Sequence, residues 1–298
     1  MTKTIAVAGA TGELGKRVVH ALLARGASVQ ALVRGTSDQT KVEALRSAGA
    51  TIVVLDDLPA TARIMAGTVC LVSTLAGLRE NIVEAQSALL DSAVKAGVPR
   101  FIPSDFSADF TKLSPGENRN LDLRREFHGR LDSANIQATS ILNGMFADIL
   151  PTPYSPFFDF KARRVNYWGS PDQKLDFTTM DDTAAFTAAA ALDETTPKVL
   201  RIAGDQISAR EMAAAASAAT DSTFSLFRLG TIDELGDKIV QARKADPTAE
   251  SNVYAPFQLM QYTHNMASGR AKLDTVDNGR YADLTWTRVE DLLVAQAA

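Results

Sequence analysis

The sequence predicts a doubly wound α/β fold, a parallel sheet covered by helices on both faces, with a smaller α/β part at its C-terminal side. Three observations predict it. The first half alternates between runs of period 2 and runs of helical period. Its strands are apolar on both faces, as in a buried parallel sheet. A glycine-spaced turn, Gly9-Ala10-Thr11-Gly12-Glu13-Leu14-Gly15, follows the first strand and opens the first helix. In order, residues 4–8 form a strand, and Leu14, Val18, Val19, Leu22 and Leu23 recur at helical spacing up to Gly26. Strands follow at 28–34 and 51–55, with a short helix around Val42 and Leu45 between them that stops at Gly49. A fourth strand at 68–75 leads to a long amphipathic helix over 82–94 closed by Gly97, then a strand at 100–103, a helix at 121–134 and a strand at 137–142.

After residue 150 the texture changes. Pro151, Pro153 and Pro156 interrupt an aromatic stretch (Tyr154, Phe157, Phe158, Phe160) that cannot be one regular element. An Ala-rich helix from Asp182, a strand at 199–202, a helix at 211–219 and aromatic-bearing helical segments through Tyr262 come next. The chain therefore reads as residues 1–150, a nucleotide-type sheet domain, and 151–298, a smaller substrate-binding part. Segments at about 175–205 are expected to return to the first domain.

Composition excludes several function classes. Across 298 residues, 31 Lys+Arg against 35 Asp+Glu leave a net charge of −4, so nucleic acid is not expected as a main partner. The longest apolar runs, 52–55 and 184–192, fall short of the ~20 residues a membrane helix needs. No membrane association is expected. The N-terminus Met1-Thr2-Lys3-Thr4 enters a strand without an export signal, which points to the cytoplasm. The single cysteine, Cys70, excludes an internal disulfide, and His20, His128 and His264 are too scattered for a metal cluster. No metal is expected.

The glycine turn carries the most specific chemistry. Gly9 permits a tight turn, Gly12 lets the backbone approach a pyrophosphate, and Gly15 allows the helix to pack closely on the strand. Free N–H groups at the helix start, with the positive end of its dipole, suit an anion. Gly9, Thr11, Gly12, Glu13, Leu14 and Gly15 are therefore assigned to a dinucleotide. The second strand ends Val33-Arg34-Gly35. An arginine there suits the 2′-phosphate of NADP, where an acidic residue would suit the free ribose of NAD. Lys41 reads either as a second phosphate contact or as a solvated cation, and Asp38 keeps a case for NAD. Asp57, just past the third strand, either cradles adenine or caps a helix. Ser73, Thr74 and Leu75 end the fourth strand at the carboxyl edge of the sheet, where the ligand crevice of such folds opens.

These pieces in this order resemble the NmrA-like and isoflavone-reductase-like group of atypical short-chain dehydrogenases. That group includes pinoresinol-lariciresinol and phenylcoumaran benzylic ether reductases. The residues carrying the match are Gly9 to Gly15, Val33-Arg34, Asp57-Leu58, Val72-Ser73-Thr74, and above all 98–106, Val-Pro-Arg-Phe-Ile-Pro-Ser-Asp-Phe, similar to the family's "KRF(I/F)PSEFG" segment. Asn143-Gly144-Met145-Phe146 resembles its nicotinamide-lining segment, Asp181-Asp182 an interdomain step, and Trp286-Thr287-Arg288-Val289-Glu290 a C-terminal signature. The resemblance implies a Rossmann domain with a substrate domain, NADPH as donor, and Pro103, Ser104, Phe106, Asn143, Met145 and Phe146 beside the nicotinamide.

One position departs from the family. Where the reductases place a lysine early in the helix after the "PSEF" segment, this sequence has Arg124. A guanidinium can bond a developing oxyanion, but with a pKa above about 12 it is a poor proton shuttle. His128 lies one turn along the same helical face and titrates in the useful range, unless it is simply an exposed helix histidine. Arg125 and Glu126 read as solvated surface. None of the five tyrosines has a lysine four residues later, and no Ser-His-Asp arrangement stands out. Asp181-Asp182 reads as a helix start rather than a catalytic pair, and Cys70 as a packed core thiol. Phe157, Phe158, Tyr167, Trp168, Phe257 and Tyr262 either wall an aromatic acceptor pocket or are plain core. Two functions are expected to compete: an NADPH-dependent reductase of a small aromatic, benzylic-ether or quinone-like acceptor, with Arg124 and His128 catalytic, and a catalytically weak NADP(H) sensor acting through a protein partner.

Overall fold

The computed structural model describes residues 2–55 and 63–297. Its centre is a six-stranded, all-parallel sheet in the order β3-β2-β1-β4-β5-β6. The strands are β1 Thr4–Ala8, β2 Ser28–Val33, β3 Thr51–Val54, β4 Thr68–Ser73, β5 Arg100–Ile102 and β6 Gln137–Ala138. The strand predicted at 137–142 is divided at Thr139, whose N–H still donates to Phe101 O. Beyond it β7, Ser140–Leu142, takes a different neighbour, β12 at Val199–Arg201, in parallel. A segment from the second half thus pairs with Ser140–Leu142 in a two-stranded sheet of its own, because the chain changes partner at one residue.

The alternation of β1 explains the layers. Ile5 and Val7 pack on one face with helix α1, Glu13–Ala24, and helix α5, Met180–Leu192, through Val18, Leu22 and Phe186. Ala6 and Ala8 face the other side with α3, Gln86–Lys95, and α4, Arg119–Leu131, through Leu90, Phe101 and Phe127. Helix α3 is preceded by a π-helical turn, Glu80–Ala85, so the helix expected at 82–94 begins earlier and in a wider form. The Ala-rich helix also begins earlier than expected. Thr179 caps it by accepting from Asp182 N–H at 3.0 Å, which places Asp181 and Asp182 in its first turn.

The remaining elements surround a third core that includes Phe110, Phe157, Phe158, Phe177, Met212 and Phe224. Helices α2, Gln39–Ser47, α6, Ala209–Thr220, α7, Ile232–Ala245, α8, Pro256–Ala267, and α9, Val289–Ala297, complete the chain. Two small sheets accompany them. In one, β11, Leu175–Thr178, lies between β8, Met145–Phe146, and β13, Asp205–Ile207. In the other, β10, Arg164–Trp168, lies between β9, Phe158–Asp159, and β14, Ser225–Gly230. Among the described residues no helix is long and apolar enough to cross a membrane, and no His/Cys/Asp/Glu group could hold a metal ion. Cys70 is fully buried, and burial pushes its thiol up to about 12.

Candidate active site

The strand order reverses between β1 and β4, so their carboxyl ends bound the crevice of this sheet. Thr74 ties the two ends together: its N–H and its hydroxyl both donate to Ala8 O, at 2.9 and 2.8 Å. Over this point lies the glycine turn. Gly9 has φ +75°, and Gly12 N–H donates back to Gly9 O at 2.9 Å. A Cβ on Gly15 would stand 2.2 Å from Gly9 O and 2.7 Å from Thr74 Oγ1, so only glycine lets α1 approach the turn this closely. Gly12 is the N-cap of α1 and offers no side-chain acceptor to the first N–H groups. Glu13 does not close that end either. Hydrogen bonds from Lys16 and then Arg17 hold its carboxyl below its ordinary value, and Arg17 also reaches Asp181 at 2.8 Å.

At the end of β2, Arg34 is exposed, and its backbone N–H donates to Ser37 Oγ at 3.1 Å. Lys41 is also exposed. Among the described residues no acidic side chain pairs with either cation. The carboxylate of Asp38 is engaged as the N-cap of α2, accepting from the N–H groups of Thr40 and Lys41 at 2.8 and 3.3 Å. Asp57 and Leu58 lie outside the described residues.

The other predicted cofactor residues divide into a surface set and a set behind it. Thr11, Leu14, Thr74, Leu75, Met145 and Phe146 are part-exposed. Ser73, Pro103, Ser104, Phe106 and Asn143 are buried. Ser104 works from behind: its hydroxyl donates to Leu75 O at 2.6 Å and its N–H to Gln86 Oε1 at 2.8 Å, clamping the end of β5 to the end of β4. Asn143 is fully buried, and among the described residues neither its amide nitrogen nor its amide oxygen has a partner. Its backbone is fixed instead, since its N–H donates to Ser107 O at 3.0 Å and its carbonyl accepts from Thr178 Oγ1 at 2.8 Å. Gly144, at φ +70°, then lets the chain pass against Asp176 O, where a Cβ would sit at 2.2 Å.

Helix α4 carries the two candidate catalytic residues. Its start is anchored to the C-terminal half. Asn118 caps it, donates to Asn265 Oδ1 at 3.1 Å and accepts from Gln258 Nε2 at 2.8 Å, while Arg119 reaches the carbonyls of Ala249 and Glu250. Arg124 is part-buried, donates from Nη1 to Asn120 O at 2.9 Å, and leaves Nε buried without a partner among the described residues. Arg125 is not surface as the sequence reading has it. It is part-buried and donates to Phe110 O and Leu113 O at 3.0 and 2.8 Å, because helix α4 rests on that loop. Glu126 is exposed and pairs with Arg79 at 2.6 Å.

His128 is not a free surface histidine. Its Nε2 lies 2.7 Å from Asp105 Oδ2, and Ser140 Oγ donates to that same oxygen at 2.6 Å. A Ser-His-Asp grouping therefore exists, unseen in the sequence because β5 and β7 and helix α4 bring together residues 12 to 35 positions apart. It is no nucleophilic triad. The carboxylate is central and Ser140 is buried with its hydroxyl turned to Asp105. Burial lowers the affinity of His128 for a proton, but the hydrogen bond and charge of Asp105 outweigh it and leave its pKa raised.

Of the aromatic residues, Phe157, Phe158 and Phe257 are core, the last under the guanidinium groups of Arg119 and Arg243. Tyr167, Trp168 and Tyr262 are part-exposed. The two motifs Asp181-Asp182 and Trp286-Thr287-Arg288 meet: Asp182 accepts from Thr287 N–H at 2.9 Å, and burial raises the pKa of its carboxyl despite that bond.

Fold and turn together define a protein of the NAD(P)-binding Rossmann class, with the architecture of the NAD(P)-dependent reductases. Within that class the chain belongs to the NmrA-like family, whose model matches residues 1–275. Similar curated proteins include pinoresinol reductase 1 of Arabidopsis thaliana, 28% identical over 207 residues, a match covering 64% of this chain and 65% of that one. The match therefore spans just under two thirds of that relative. The bifunctional pinoresinol-lariciresinol reductase of Linum perenne is 26% identical over 97% of this chain and 98% of its own. Among solved structures, AtPrR2 with NADP+ and (+)pinoresinol superposes with a TM-score of 0.83 at 21% identity, covering 99% of both chains.

Proposed function

We propose that this protein is an NADPH-dependent reductase of a small aromatic, benzylic-ether or quinone-like acceptor. The observation that carries the reading is the glycine cradle at the strand-order reversal, opening onto a helix end without a side-chain cap and followed at the next strand by an arginine that no acidic side chain among the described residues pairs with. The relatives named reductases, and the NADP+ in a structure of the same fold, support it. Residues 1–150 then hold the cofactor, and 151–298 supply the acceptor side.

Bound in the cradle, NADPH supplies a hydride; the chain must hold the acceptor against it and exclude water. The N–H groups of α1 and the backbone of Gly9 to Gly12 grip the pyrophosphate, and Arg34 with Lys41 meets the 2′-phosphate. Met145 and Phe146 border the nicotinamide side. Ser73, Pro103, Ser104, Phe106 and Asn143 form the wall behind it. Arg124 bonds the acceptor oxygen as negative charge develops, and His128, one turn away, is the titratable imidazole of that helix face, its proton held more tightly by Asp105. The test is NADPH oxidation with a panel of quinone and benzylic-ether acceptors, in wild type and Arg124→Ala. Turnover that falls about 100-fold in the variant is expected, the scale of one lost oxyanion donor. Absence of turnover across the panel would refute the reading.

A second reading, an NADP(H) sensor acting through a protein partner, is favoured by one observation: the helix position of the family lysine holds an arginine that cannot shuttle a proton. An Arg124→Ala change that alters partner capture while leaving turnover of an identified acceptor intact would select it.

A further inference from the structure

Asp105 is a fully sequestered carboxylate at the end of the 103–106 segment, and the roles above leave it unused. It is 0% exposed. One oxygen, Oδ2, takes both His128 Nε2 and Ser140 Oγ, and Oδ1 has no partner among the described residues. A buried carboxylate with so few donors depends heavily on each of them. Its position is also specific. It follows Pro103 and Ser104 at the end of β5, and its own N–H donates to Pro103 O at 2.8 Å. Ser107 Oγ donates to its carbonyl at 2.8 Å, and Ser107 O in turn receives the N–H groups of Asn143 and Gly144. The segment leading to Met145 and Phe146 and the helix that bears Arg124 therefore meet at one residue, the first through its backbone carbonyl by way of Ser107 and the second through its carboxylate.

We propose that Asp105 is a positioning residue that holds α4, and with it Arg124, in register with the 103–106 segment through a carboxylate shared by His128 and Ser140. Residues 124 and 128 are one turn apart on one face of α4, so fixing the ring of His128 fixes the rotation of that face. Phe110 and Phe127 hold the ring edge-on at 5.7 and 6.5 Å and leave Asp105 as its close polar anchor. The charged groups around the ring are Asp105 from the β5 loop, Asp132 from the end of α4, and Lys198 ahead of β12. Of these, only Asp105 touches it. The proposal rests on the assignment of Arg124 to the acceptor, and its test has a readout that does not.

The experiment is Asp105→Asn in the full chain, with Ser140→Ala as a second, milder variant, each loaded with NADP. Asparagine keeps the shape and removes the charge. First, the His128 ring is titrated by NMR. Its pKa should lie above that of free histidine in wild type and fall in Asp105→Asn. Second, turnover of the acceptor found for wild type should fall about 100-fold in Asp105→Asn, the scale of a 1 Å misplacement, with KM and NADP affinity within about threefold. Third, the acid-to-alkaline limb of the kcat profile should move with the histidine. An unchanged ring titration, or an unchanged kcat and profile, overturns the proposal. If Asp105→Asn does not fold, Ser140→Ala decides: a raised His128 titration, from a carboxylate oxygen relieved of its second donor, supports the shared carboxylate, and an unaltered one overturns it. If wild type reduces no acceptor, the reductase reading fails while the NMR titration still decides the role of Asp105 as anchor.

Discussion

Replacing Gly15 by alanine tests the glycine cradle directly. The added Cβ would lie 2.2 Å from Gly9 O, 2.8 Å from Gly9 C and 2.7 Å from Thr74 Oγ1. Neither neighbour can turn away freely. Gly9 O holds the N–H of Gly12 at 2.9 Å, and Thr74 Oγ1 donates to Ala8 O at 2.8 Å. Reaching ordinary contact requires a shift of about 1.2 Å between α1 and the turn. Overpacking of this kind costs about 1–3 kcal/mol, and loosening one of the two hydrogen bonds adds about 1 kcal/mol. A total of about 2–4 kcal/mol corresponds to a Tm lower by roughly 5–15 °C in a chain of this size. The cofactor loses more than stability. Moving the helix N–H groups away from the pyrophosphate removes a charge-assisted bond, about 1.5–3 kcal/mol, or roughly 10- to 150-fold in Kd. Calorimetric titration with NADP and a thermal melt measure both. Gly26→Ala is the control, because Gly26 has φ +76° but no atom within 4 Å of the added Cβ. It should cost about 1 kcal/mol in backbone strain and leave NADP binding alone. If Gly15→Ala binds NADP as tightly as wild type, the cradle is not the pyrophosphate site.

Three further outcomes are expected. Wild type should bind NADP more tightly than NAD, and Arg34→Ala should erase a preference of about 1.5–3 kcal/mol; equal affinities in wild type would remove Arg34 from the phosphate site. Because the pKa of His128 is raised in the fold, its pairing with Asp105 contributes stability that is fully present below its ordinary value of 6.5 and is lost as pH rises through the folded value. Thermal melts of wild type and His128→Gln between about pH 6 and pH 9 should converge toward the alkaline end, and parallel curves would contradict the pairing. Gly129, exposed within α4 with nothing within 4 Å of an added Cβ, should give about 0.5–1 kcal/mol of stabilisation as alanine, read as a higher Tm. A lower Tm would show that α4 depends on flexibility there.

Features of this protein whose causes are local were legible in its residues. Strand and helix periods gave the parallel sheet, because a strand buried on both faces must be apolar at successive positions, as 4–8 and 68–73 are. The glycine turn was readable because close approach of backbone to backbone excludes a Cβ wherever the fold places it, and the 2.2 Å clearance at Gly15 is that exclusion measured. Tertiary structure alone decided the rest. Asp105, His128 and Ser140 lie on a loop, a helix and a strand, and no spacing in the chain announces that one carboxylate oxygen serves both partners. The surface reading of Arg125 fails for the same reason, since the carbonyls of Phe110 and Leu113 that engage it belong to a loop brought near only by packing. Burial sorted the cofactor residues too: Ser104 and Asn143 carry polar side chains that suit a ligand, yet the fold turns one onto Leu75 O and encloses the other. Local backbone chemistry is written into neighbouring residues, whereas the partner of a buried charge is set by which distant segments the packed core brings together.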